Sequence, residues 1–278
     1  MVNRKELNPE SSPRAAFGAR VRRLREKRGW SQEVLAEHVG CSSQHISATE
    51  TARKPPTLPF SRKLDIIFGT ANTGESFESE WREIRHGSLL EGFPEYVGYE
   101  GRAVEIRIYN TGVIPGLLQT PEYARVLAHS AVRRGAITPE QADERVSFLA
   151  ERQSALVRPR LPMILVVLDE SCIRRSIGDD AAMDTQLARL IEFAGRPNTM
   201  LQVVPFDMSH RPFDLPITVL TMADRSLMSY AESAQRGHLE RESTAVLPML
   251  TAYHQLQAES PSQAASVAMI SQLRKGNP

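Results

Sequence analysis

Gln44 carries a carboxamide, Ser43 and Ser47 carry hydroxyls one helical turn apart, and Ala48 adds a methyl group beside them. On one helical face, a Gln amide can pair bidentately with the N6 and N7 of adenine. The hydroxyls can donate to or accept from several bases. A second set flanks these four residues: Ser31, Gln32, Ser42, Thr51, Arg53 and Lys54. Hydroxyls, a side-chain amide at a helix N-terminus and two cations are the groups that hold phosphate oxygens. Together the two sets have the chemistry for reading double-stranded DNA, with base edges as one target and the backbone as the other.

Such a face needs a scaffold of two short helices crossing at a tight turn. That geometry demands a small residue at the close approach and apolar residues on both inner faces. Ala36 is the small residue and Gly40 supplies the turn. Leu35, Val39, Cys41 and Ile46 fall inward, with Thr49 expected at the rim. Ser31 and Ser42 precede the two helices as N-caps. The spacing predicts Ser43, Gln44, Ser47 and Ala48 on the outward side of the second helix, the one that enters the major groove in this arrangement.

Upstream, residues 1–13 contain Pro9 and Pro13 and read as a mobile tail. A helix over Arg14 to Arg28 turns Phe17, Val21 and Leu24 inward at helical spacing. Its arginines, from Arg20 to Arg28, read first as a solvated face. Downstream, Pro55-Pro56 breaks the chain, Thr57 can cap, and Leu58 to Phe68 forms the next helix. Residues 70–92 read as a linker with a bridging helix near 76–86.

The stretch FGARVRRLREKRGWSQEVLAEHVGCSSQHISATETARKPP resembles the five-helix, lambda-repressor-like DNA-binding domain of the phage-repressor (Cro/C1, xenobiotic-response-element) family. That resemblance implies a sequence-specific DNA-binding domain over 14–69. One departure stands out: the family commonly has Gly after the second reading helix, where this chain has Ala52. A different setting of the loop that carries Arg53 is expected from it.

The chain has 278 residues and a net charge of +1, a length that suits two domains. Residues 1–70 hold 13 Lys and Arg against 7 Asp and Glu, leaving 21 against 26 for the remainder. Only the first part is suited to a polyanion. Two isolated cysteines, Cys41 and Cys172, suggest neither a disulfide framework nor a zinc site. With no long apolar run and no signal-peptide pattern, a cytoplasmic protein without membrane contact, metal or cofactor is expected.

From about Phe93 strands begin to alternate with helices. Strands are expected near 105–109, 163–168, 200–205, 216–222 and 226–231. Helices are expected at 121–132, 140–157, 180–194, 243–257 and 261–274, the second opened by a capping box of Thr138 and Gln141. The fold class is therefore multi-domain: an all-α N-terminal domain, then an α+β domain over 93–278 with a small mixed sheet. IPGLLQTPEYAR, ERQSAL, VVLDE, LQVVPF and SYAE, in that order, resemble the C-terminal domain of unknown function of actinobacterial helix-turn-helix regulators. The resemblance implies a regulator of development or antibiotic production and a small partner protein in an antitoxin-like arrangement. It leaves open whether DNA regulation or neutralisation of that partner is the main role. Dimerisation is expected from the second domain.

Arg152, Gln153, Asp169 and Glu170 are the polar candidates for an effector or partner pocket there. Asp169-Glu170, His210, Cys172 and Tyr230 could be drawn as an enzyme site. No Gly-rich phosphate loop, metal-spaced histidines or nucleophile elbow accompanies them, so binding is expected rather than catalysis.

Overall fold

The computed structural model describes residues 9, 12–86, 89–208, 212–233 and 236–276. The chain divides into two compact units, Met1–Ser88 and Leu89–Pro278. The tail expected over residues 1–13 falls mostly outside the described residues.

In the first unit, α1 (Pro13–Lys27) begins one residue earlier than expected, because the Ser12 hydroxyl accepts from Ala15 N at 3.1 Å and Pro13 suits the first helical position. There follow α2 (Gln32–Val39), α3 (Ser43–Glu50), α4 (Leu58–Phe68) and α5 (Phe77–His86). Their core is Phe17, Val21, Leu35, Ile46, Leu64 and Phe77 with their neighbours. The segment expected to bridge is thus part of this core. Phe77 is fully buried, edge-on to Phe17 with ring centroids 5.2 Å apart. Its helix is started from a distance by Asp65 of α4. That carboxylate accepts from Phe77 N at 2.7 Å, Glu78 N at 2.9 Å, Ser76 Oγ at 2.8 Å and Thr70 Oγ1 at 2.6 Å. Burial pushes the Asp65 pKa up, but these hydrogen bonds, led by that from Thr70, outweigh it and hold it below the usual carboxylate range.

The second unit is built on a six-stranded sheet: β1 (Glu105–Asn110), β2 (Met163–Asp169), β3 (Thr199–Val204), β4 (Ile217–Thr221), β5 (Leu227–Glu232) and β6 (Gly237–Glu240). The spatial order is β3-β2-β1-β4-β5-β6. β1, β2 and β3 are parallel, with Ile106 opposite Ile164 and Val166 opposite Leu201; β4, β5 and β6 run antiparallel to their neighbours. The sheet is mixed, as expected, but larger: β6 is too short at an edge to show in the apolar pattern.

The helices are α6 (Phe93–Glu100), α7 (Pro121–Arg133), α8 (Pro139–Ser154), α9 (Ser171–Arg174), α10 (Asp180–Ala194), α11 (Ser243–Glu259) and α12 (Gln263–Arg274). One face of the sheet, with Ile106, Ile108, Val166, Leu168 and Leu201, packs on Tyr123, Leu187, Leu190 and Ile270. The other face, with Tyr109, Val167 and Val204, packs on Tyr253 and Leu256 of α11. Burial on both faces explains the unbroken apolar run of β2. Two predicted caps are in place. Thr120 accepts from Tyr123 N, and Thr138 with Gln141 forms the reciprocal capping box.

Candidate functional site

The α2–turn–α3 unit has the expected local geometry. Ser31 Oγ accepts from Val34 N at 3.3 Å and Ser42 Oγ from His45 N at 3.2 Å, so each serine caps its helix; the Ser31 hydroxyl also bonds the Glu33 carboxylate and lowers its pKa. Gly40 ends α2 at φ 72°. Leu35, Val39 and Ile46 are buried and Cys41 is half-buried; Thr49, expected at the rim, is buried with them. On the other side of α3, Gln44 is exposed while Ser43, Ser47 and Ala48 are half-buried. The side chains read as base contacts therefore share an accessible face.

The phosphate set is more constrained than its residue types suggest. The Thr51 hydroxyl donates to Ser47 O at 2.6 Å and accepts from Arg53 Nε at 2.9 Å. Its proton is committed to the helix end, and its role is to steer Arg53. Lys54 is exposed, with Nζ 3.3 Å from His45 Nδ1. Gln32 Nε2 donates to Glu50 Oε2 at 2.8 Å, which orients the amide at the start of α2.

Glu50 is the residue sequence reasoning missed. It is fully buried at the end of α3, where Oε1 accepts from Arg25 Nε at 2.5 Å and Oε2 from Arg25 Nη2 at 3.0 Å. Arg22 Nε lies 3.6 Å away. The hydrogen bond to Glu50, against the cost of burial, raises the Arg25 pKa above its ordinary value. Arg20, in turn, is paired with Glu80 of α5. The arginines of α1 are thus not simply a solvated face. Arg25 and Glu50 fasten α1 to the end of α3, and Glu50 fastens Gln32 to both.

After α3 the chain turns through Ala52 at φ 56°, the conformation a glycine would adopt without strain. Arg53 N and Lys54 N close back on Ala48 O at 2.9 Å and 3.1 Å. The alanine takes the left-handed conformation itself. Because that region costs an L-residue about 1–2 kcal/mol, Ala52→Gly should raise the stability of the first unit by about 1 kcal/mol with DNA affinity unchanged. A denaturation midpoint that stays put or falls would contradict this.

In the second unit the four proposed pocket residues separate. Asp169 and Glu170 tie the end of β2 to its neighbours. Asp169 Oδ1 accepts from Ser171 N at 2.9 Å, and Glu170 Oε2 from Phe206 N at 2.7 Å with Arg174 on its other oxygen. Gln153 Nε2 holds the 114–119 segment through Gly116 O at 2.8 Å and Gln119 O at 2.9 Å. Of the four, Arg152 alone belongs to the lining of one cavity of about 430 Å³, which opens where β1 ends beside β4 and β5. This is the edge of a sheet where ligands gather.

Arg152 is anchored by the buried Glu100 of α6, Nε to Oε2 at 2.5 Å and Nη2 to Oε1 at 2.7 Å, and Tyr96 donates to the same carboxylate. Tyr96 stacks on Tyr230 with centroids 4.1 Å apart. Gly116, Arg152 and Tyr230, from three of the blocks singled out in the sequence, meet there. Cys172 lies apart from the cavity lining, donating to Asn110 O at 3.3 Å and Val113 O at 3.2 Å; burial first, then the charge of Asp169, pushes its thiol up to about 12. His210 lies outside the described residues. Among those described, no cluster of metal-ligating side chains occurs and no helix is long and apolar enough to cross a membrane.

A capped helix pair with an exposed polar reading face, followed by a separate unit around a mixed sheet, is the architecture of a helix-turn-helix DNA-binding regulator. Residues 16–74 match a family model described as a helix-turn-helix domain, and residues 93–272 match one described as a domain of unknown function (DUF5753). The second match spans more than half of the chain, which therefore belongs to the DUF5753 family. No curated protein and no solved structure gives a match.

Proposed function

We propose that this chain is a dimeric, sequence-specific transcriptional regulator of the Cro/C1 type, acting in the cytoplasm on double-stranded DNA. In this reading α3 lies in the major groove, with Gln44 as principal base reader and Ser43, Ser47 and Ala48 beside it. Ser31, Gln32, Ser42, Arg53 and Lys54 hold phosphates, with Thr51 positioning Arg53. The observation that carries the reading is the exposed amide of Gln44 on a helix whose other side is buried in the domain core. A single head of this size covers few base pairs, so two copies on half-sites about one helical turn apart supply affinity and specificity. The second unit dimerises and controls occupancy by binding a small partner protein or ligand, without catalysis. Its surplus of acidic residues disfavours phosphate contact. Regulation of development or secondary metabolism is the process that the resemblance of this unit suggests.

Gln44→Ala tests the reading. On the selected operator it should cost about 1–3 kcal/mol and relax preference at one position per half-site. Binding titrations on operator and on random DNA that show the same loss would sink base reading by Gln44.

A further inference from the structure

The cavity beside Arg152 has features that specify a ligand. Its walls combine apolar and aromatic side chains, including Phe93, Tyr96, Ile108 and Tyr230, with polar ones, among them Asn110, Gln119 and Thr218. At about 430 Å³ it is within the usual range for small-molecule sites. Into these walls is set one strong donor. Arg152 spends Nε and Nη2 on Glu100 and Tyr96, but Nη1 has no hydrogen-bond partner among the described residues. Nη1 lies against Gly116, where a Cβ would come within 3.0 Å of it, so the absent side chain keeps the guanidinium edge clear.

The charge of that donor is already balanced. Glu100 is 1 % exposed and takes two hydrogen bonds from Arg152, so the buried pair is neutral. A ligand carboxylate would place a second negative charge on a guanidinium that has its counter-ion, with Glu232 also in the cavity lining. An uncharged carbonyl oxygen takes the Nη1 proton without that cost.

We propose that this cavity binds a small, uncharged, largely apolar ring compound bearing a carbonyl oxygen, such as an aromatic ketone, ester or lactone, with the carbonyl on Arg152 Nη1. Asn110 supplies a second polar point. Its Nδ2 donates to Val113 O at 2.6 Å, which leaves its carboxamide oxygen to accept from a ligand hydroxyl. The inference gives a ligand class to the binding role proposed for the second unit, and rests on that role only for its effect on DNA.

The test is calorimetric titration of the full chain with coumarin, 1-indanone and acetophenone as carbonyl probes. Naphthalene serves as the oxygen-free control and coumarin-3-carboxylate as the charged one. One hydrogen bond from a charged donor should make coumarin bind about tenfold tighter than naphthalene. Coumarin-3-carboxylate should bind weaker than coumarin. Val113→Phe, at a half-buried loop position in the lining, should abolish binding by filling the cavity while the fold stays intact by circular dichroism. Arg152→Lys, if folded, should bring the coumarin to naphthalene ratio close to one.

No saturable binding of any carbonyl probe up to its solubility would overturn the proposal, as would equal affinities for coumarin and naphthalene, tighter binding of the carboxylate, or unchanged binding by Val113→Phe. DNA titrations with and without coumarin separate this from the regulatory reading. Probe binding in the expected order with DNA affinity unchanged upholds the site and removes its control of occupancy. Absence of probe binding removes the site and leaves DNA recognition untouched.

Discussion

Glu50→Ala should bring the first unit close to unfolding. The carboxylate is fully buried, and its removal leaves the Arg25 guanidinium, 8 % exposed, with Trp30 O at 2.8 Å as its remaining near partner of good geometry. Breaking a buried pair from one side costs about 3–5 kcal/mol, while a small domain has only about 5–15 kcal/mol in total. Thermal unfolding should show the transition of the first unit shifted sharply down and that of the second unit unmoved. Replacing both partners separates pairing from burial. Arg25→Met with Glu50→Leu removes the two charges together, so stability should recover most of the loss. DNA affinity should not recover, because Gln32 has lost the oxygen that orients it at the start of α2. A double variant as unstable as Glu50→Ala would show that the pair is not what holds α1 to α3.

What could be read in advance divides by distance along the chain. Ser31, Ser42, Thr57, Thr120 and Thr138 cap helices through hydrogen bonds to amides three residues on, so their spacing alone placed the helix starts. The alternation of Glu105 to Tyr109 and the apolar run of Met163 to Leu168 placed strands for the same local reason, each within a residue of the observed Glu105–Asn110 and Met163–Asp169. Where a partner is remote the signal fades. Asp65 starts α5 from 12 residues before Phe77, and without it 70–92 looks like a linker. Glu50 reads as one more exposed charge until Arg25, 25 residues earlier, is seen against it. The short α6 is obscured by Gly92, Pro94 and Gly98. At the cavity, Arg152 was legible as a candidate, but its partner Glu100 lies 52 residues away in α6 and Tyr230 comes from β5. Asp169 and Glu170 were drawn in because acidic residues at a strand end often face a ligand, whereas here Asp169 bonds the amide of Ser171 and Glu170 the amide of Phe206, 36 residues on.

Gly18→Ala is expected to disable the first unit by a different route, and the direction has to be argued because two effects oppose. Gly18 lies inside α1, where alanine gains about 1 kcal/mol of helix propensity over glycine. A Cβ at this position, however, would stand 2.4 Å from the carbonyl oxygen of Thr49 and 3.2 Å from the carbonyl of Glu50, both backbone atoms of α3 or its end. No rotamer relieves that contact. The helices must separate by about 1 Å to restore ordinary packing, and overpacking of this kind costs about 1–3 kcal/mol or more. A backbone contact as close as 2.4 Å belongs in the upper part of that range, about 2–3 kcal/mol, so the clash outweighs the propensity and the net loss in denaturant unfolding of the first unit is about 1–2 kcal/mol. Because the displaced element is α3, the surviving folded molecules should also lose the contribution of the Gln44 pair on operator DNA, about 1–3 kcal/mol. Gly98→Ala is the control: it lies in α6 with nothing within 4 Å of the added carbon, so it should stabilise the second unit by about 1 kcal/mol and leave DNA binding alone. If Gly18→Ala proves as stabilising as Gly98→Ala, then α1 and α3 do not approach as closely at Thr49 as the structure has them.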